Sequence, residues 1–144
     1  MRNLLFILFT LTAPLTAAQN YGNLTVSSLD SVYDGDTFKV TIDELHPLIG
    51  KAILVRVAGI DTPELRSKDP TEKALACEAR DYAAHLLNNA KNIVLVDVRR
   101  DKYFRILADV YLDGILMSEQ LIQAGVARPY DGKTKSGWGV AVTP

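Results

Sequence analysis

The sequence predicts a mainly β fold with helices, of the α+β class: a five-stranded barrel of the OB type, with one helix after the third strand and a short helix after the fifth. Two observations lead there. Five short runs of β-branched and apolar residues are set apart by turn-forming residues, and their order is three strands, a helix, two strands and a short helix. That order suits a small Greek-key barrel better than a parallel sheet.

Residues 1–18 are read first and set aside. Arg2 supplies a positive start, Leu4 to Leu15 form an apolar stretch, and Thr16-Ala17-Ala18 offers the small residues that signal peptidase requires before Gln19. Thr10, Thr12 and Pro14 interrupt the stretch, which falls short of the ~20 residues of a spanning helix. The expectation is a cleaved export signal, a secreted or periplasmic location and no stable membrane association after cleavage; an uncleaved anchor is the alternative.

The remaining residues, 19–144, are expected to form one domain with a core over about 24–130 and a polar tail from 131 to 144. Leu24 to Val32 and Thr37 to Ile42 read as strands joined by the tight link Tyr33-Asp34-Gly35-Asp36. Asp43 to Lys51, with Pro47 and Gly50, is a connection, and Ala52 to Val57 is the third strand, with Arg56 near its end. Asp69-Pro70-Thr71-Glu72 then announces a helix: a capping carboxylate, proline at the first helical position and glutamate at the third. Leu75, Ala79, Tyr82, Ala83, Leu86 and Leu87 follow at helical spacing up to Asn88-Asn89. Ile93 to Val98 and Ile106 to Tyr111 are the last two strands, Asp113-Gly114 is a turn, and Ser118 is expected to cap a short helix ending before Gly125.

Composition narrows the function. The chain carries a formal net charge of −1, so no global basic field advertises nucleic acid, and any polyanion must be held locally. Cys77 is the single cysteine, which excludes a disulfide scaffold and fits a small helix residue. No Cys/His cluster is present for zinc, and the Asp-Gly-Asp loop lacks the spacing of a calcium hand. His46 and His85 are read as non-catalytic.

Five charged residues stand out: Asp36, Arg56, Asp61, Glu64 and Arg105. Two hard carboxylates can hold a cation, two guanidiniums can clamp a phosphate, and one carboxylate is left to handle water. Singly, Asp34-Gly35-Asp36-Thr37 reads as a hairpin turn, Asp61-Thr62-Pro63-Glu64 as a helix lead-in, and the arginines as partners of surface carboxylates. Jointly, in this order and spacing, the motifs resemble the staphylococcal-nuclease-like (thermonuclease) family over roughly 24–127, Asp101-Lys102-Tyr103-Phe104-Arg105 included.

The resemblance implies an OB-like barrel and a calcium-dependent endonuclease acting on DNA and RNA, with 3′-phosphorylated products. It implies calcium ligation by Asp36, Asp61 and the Thr62 carbonyl, catalysis by Arg56, Glu64 and Arg105, and substrate contacts by Lys102 and Tyr103, with Tyr130 added as a residue in reach of the nucleotide. For Asp34 the role read is shaping the turn or the cation's outer shell. Glu64 is either a general base or a group that positions water. Phe104 stands where well-known members commonly have glycine, and would offer a stacking face. A monomer favouring single-stranded or frayed substrate is expected; the alternative is a non-catalytic OB-type module that binds nucleic acid or protein.

Overall fold

The computed structural model describes residues 19–101, 103, 105–135 and 137–138. Residues 1–18, expected to be an export signal, and Lys102 and Phe104 therefore lie outside the described residues. Among these, the elements in chain order are β1 Leu24–Thr25, β2 Ser28–Val32, β3 Thr37–Thr41, α1 Pro47–Gly50, β4 Ile53–Val57, β5 Ile60–Asp61, α2 Pro70–Asn89, β6 Ile93–Arg100, β7 Ile106–Leu112, β8 Ile115–Leu116, α3 Met117–Gln123 and β9 Arg128–Pro129.

The main sheet runs β1-β6-β7-β4-β3-β2, with β8 paired to β7, and a separate ribbon joins β5 to β9. Its first and last strands, β1 and β2, are neighbours in sequence. The stretch expected as one strand, 24–32, is thus split: β1 pairs β6, then Val26 and Ser27 change partner, from Ile93 to Thr41, and β2 pairs β3. One chain segment therefore ties both edges together and curls the sheet into the expected OB-like half-barrel, leaving few backbone groups on a free edge.

Strand alternation fills the interior. Phe38 and Val40 from β3, Val55 and Val57 from β4, Leu95 from β6 and Ala108 and Val110 from β7 are all buried, and Met117 and Leu121 of α3 close one end. A bulge between Val96 and Arg99, with Asp97 at φ +52°, bends β6.

Helix α2 forms as its first turn dictates. The Asp69 carboxylate accepts from Thr71 N at 2.8 Å and Pro70 occupies the first helical position. Glu72 does not return to the cap; it accepts from Ser67 Oγ at 2.7 Å and, more loosely, from Glu64 N at 3.4 Å, so the helix start holds the loop that carries Glu64. Ala76, Ala79 and Ala83 make a small-residue face that lets α2 approach the barrel closely.

Two local expectations need correction. The connection 43–51 contains a helical turn, α1, capped by His46 Nδ1 accepting from Leu48 N at 3.2 Å. Ser118 does not cap α3: the helix follows β8 without a linker, Leu116 stands at the cap position, and Ser118 is buried in the first turn.

Candidate active site

Pairing of β3 with β4 and of β4 with β7 builds the site. Thr37 lies across from Arg56, and Val57 N donates to the Asp36 carbonyl at 2.9 Å, so Asp36 is fixed beside Arg56 at one barrel end. Because β4 and β7 run parallel, with Val55 beside Ile106, Arg105, immediately before β7, lies next to the same strand. Parallel pairing is what brings two arginines far apart in sequence to one cleft.

The other side comes from the turn after β5. Thr62 packs under Gly35, where an added Cβ would meet the Thr62 methyl and the Ala79 Cβ, each at 2.9 Å. Only glycine lets the Asp34–Asp36 loop sit against both α2 and the Asp61–Glu64 turn. Asp34 Oδ1 accepts from Asp36 N at 3.1 Å, which makes Asp34 a turn-shaping residue.

Asp36, Arg56, Thr62, Glu64, Tyr103, Arg105 and Tyr130 all line one cavity of about 940 Å³. Asp61 lies behind its wall, 1% exposed. Of the residues expected from sequence to serve the site, Lys102 and Phe104 fall outside the described set. Both guanidiniums are engaged: Arg56 Nη1 is 2.7 Å from Asp36 Oδ1, and Arg105 donates through Nε to Asp101 Oδ2 at 2.8 Å and pairs with it through Nη2 at 2.7 Å. Asp101, not singled out from sequence, also accepts from the backbone of Tyr103 and Arg105. Arg105 further stacks over Tyr103, 5.2 Å from the ring centre.

The two buried carboxylates are shifted in opposite directions. Burial pushes Asp36 up to about 6; Arg56 and Thr37 pull it down, and Asp34 adds to the rise. Burial likewise acts to raise Asp61, but Lys135, Trp138 and Arg128 outweigh it and hold the carboxyl below its usual range. Trp138 Nε1 and Arg128 Nη2 donate to Asp61 Oδ2 at 3.1 and 3.0 Å. Lys135 Nζ lies 2.9 Å from Oδ1, close enough for an ion pair but not aligned as a hydrogen bond, so Oδ1 is a buried oxygen without a hydrogen-bond donor.

These three cations and donors escaped the sequence reading. Arg128 is set by register, since Asp61 pairs Arg128 in the β5–β9 ribbon, and its guanidinium stacks on Trp138 at 4.4 Å. Lys135 also reaches Glu64 Oε1 at 2.9 Å. Neither contact has a local sequence signal.

Among the described residues, no three His, Cys, Asp or Glu side chains stand together as a metal cluster. The donor set nevertheless fits a hard cation. Asp36, Asp61 and the Thr62 carbonyl offer oxygen only, the ligand type a hard cation takes, water would have to fill the rest of its shell, and an ammonium already stands as a positive charge against Asp61 Oδ1.

An OB-like α+β barrel whose end gathers carboxylates and guanidiniums in one cleft is a phosphodiester-binding architecture in its chemistry. The family model of staphylococcal nuclease homologues matches residues 54–137, more than half of the chain, and the protein belongs to that family. Endonuclease YncB of Bacillus subtilis (strain 168) is 35% identical over 123 residues, covering 82% of this chain and 56% of that protein. The SPbeta prophage-derived endonuclease YokF of the same organism is 37% identical over 113 residues, 75% of this chain and 36% of its own. Thermonuclease of Staphylococcus hyicus is 35% identical over 98 residues, 67% of this chain and 54% of its own. The chain thus spans about half or less of these relatives.

Proposed function

We propose that the protein is a secreted or periplasmic, calcium-dependent endonuclease that hydrolyses DNA and RNA to 3′-phosphorylated products, acting as a monomer on single-stranded or frayed substrate. Its relatives named as endonucleases and thermonuclease support the reaction class. One observation carries the reading to the residues: Asp36, Arg56, Thr62, Glu64 and Arg105 line a single cavity.

Arg56 and Arg105 present planar forks of donors, and a phosphate entering the cleft offers them oxygens in place of Asp36 and Asp101. Glu64, with 61% of its side chain exposed, meets solvent and takes the proton of the attacking water or orients that water. The water oxygen bonds to phosphorus and the P–O5′ bond breaks; the leaving 5′ oxygen is protonated from solvent. Asp36, Asp61 and the Thr62 carbonyl would hold the cation, which supplies neutralising charge at the phosphate. The cleft offsets the slightly acidic whole, so binding is local and salt-sensitive.

The test is digestion of labelled single-stranded DNA and RNA by the purified protein. Calcium should start cleavage and a chelator should stop it. Substrates left intact in calcium would overturn the enzyme reading in favour of a binding module.

A further inference from the structure

Asp61 is surrounded by positive charge that no cation-binding carboxylate needs if its role is to receive a metal. Arg128 comes from the adjacent ribbon strand, and Lys135 and Trp138 come from the C-terminal residues beyond it. The Lys135 ammonium sits 2.9 Å from Asp61 Oδ1 and 2.9 Å from Glu64 Oε1 at once, bridging the residue read as a cation ligand and the residue read as the water handler. It is not buried as a structural ion pair would be: 39% of its side chain is exposed, on a long flexible stem.

We propose that Lys135 is an intramolecular competitor for the divalent cation, holding Asp61 Oδ1 until the ion displaces it. This rests on the cation reading of the site given above. A divalent ion ligated by a carboxylate oxygen stands ~2.3–2.6 Å from it, so an ion on Oδ1 and an ammonium 2.9 Å from the same oxygen would crowd two like charges into one space. Trp138 covers the other oxygen of the same carboxylate while its ring carries Arg128, so withdrawal of Lys135 changes the surroundings of this side chain as well. Cation entry and rearrangement of the C-terminal residues are then one event.

Trp138 is the single tryptophan in the chain, so its fluorescence reports on that event without any nuclease assay. Calcium is titrated by calorimetry and by tryptophan emission into the wild type, Lys135→Met, Lys135→Arg and Lys133→Met. Lys133 pairs with Asp131 and is 84% exposed, so its replacement makes the same charge change away from Asp61. Removing two partly exposed ion pairs should tighten calcium binding roughly threefold to thirtyfold in Lys135→Met. Lys135→Arg and Lys133→Met should stay near the wild type, and wild-type emission should shift with the calorimetric isotherm. Equal affinity in Lys135→Met and the wild type overturns the proposal alone, as does an equal tightening in Lys133→Met or an emission that ignores bound calcium. Absence of calcium binding in every variant overturns the cation reading and this proposal with it.

Discussion

Asp36 and Asp61 are buried to nearly the same degree, 3% and 1% exposed, yet their charges are held in opposite ways. Asp36 stands on the barrel's own hairpin, where one guanidinium and one hydroxyl do not overcome burial, and its carboxyl is pushed up to about 6. Asp61 meets three side chains from 67 or more positions away in sequence and stays ionised more easily than a free carboxylate. Burial alone does not decide a carboxylate's state; the number and charge of the donors facing it do. The barrel wall is therefore a fixed half of the cleft, and the Asp61 side is a half whose electrostatics the C-terminal residues set.

The largest effects should come from the fixed half. Arg56→Ala and Arg105→Ala each remove a guanidinium that the proposed mechanism assigns to phosphate, and each should lower kcat/KM on single-stranded DNA on the order of 10²- to 10³-fold. Thermal unfolding followed beside the rates should show the barrel intact, because neither side chain belongs to the apolar core. A loss of activity matched by unfolding would mean the arginines are structural partners of Asp36 and Asp101.

A smaller effect is expected where the halves touch. Gly35→Ala places a methyl 2.9 Å from both Thr62 and Ala79, so it should cost about 1–3 kcal/mol in denaturant unfolding. Unchanged stability would show that the hairpin and the Asp61–Glu64 turn are not locked together.

The smallest concerns Asp101. Burial acts to raise it, but hydrogen bonds from the Arg105 side chain and from the Tyr103 and Arg105 backbone prevail and lower it from 3.8. A depressed carboxylate contributes stability above its unfolded value, and that contribution is lost as pH falls through the folded one. Asp101→Asn should therefore be about 1 kcal/mol less stable than the wild type at pH 7, with the gap shrinking below pH ~4. A gap that does not change with pH would assign the loss to packing.

Legibility from sequence followed the range of the interactions. The start of α2 was readable because Asp69, Pro70 and Thr71 act on each other within one turn, and the strands because runs of β-branched and apolar residues are set apart by turn-forming ones. Asp36, Arg56, Asp61, Glu64 and Arg105 were found as a joint pattern, and the structure brings all but Asp61 to the lining of one cavity, with Asp61 buried outside that lining. The change of partner at Val26 and Ser27 was not readable, since it is set by two different strands. Ser118 looked like a cap because sequence shows residue type but not that β8 runs straight into α3. Lys135, Arg128 and Trp138 were missed for the same physical reason: their contacts with Asp61 exist only after β9 pairs with β5.

The central claim is that this cleft directs water at phosphorus with Asp36, Asp61 and Thr62 holding a cation, and the chemistry of the severed ends tests it most directly. Single-stranded DNA and RNA are digested in calcium and the new termini are analysed. The account predicts 3′-phosphate and 5′-hydroxyl ends, formed in calcium and suppressed by chelator and by Glu64→Ala. Ends of the opposite polarity, or cleavage indifferent to both chelator and Glu64→Ala, would contradict it.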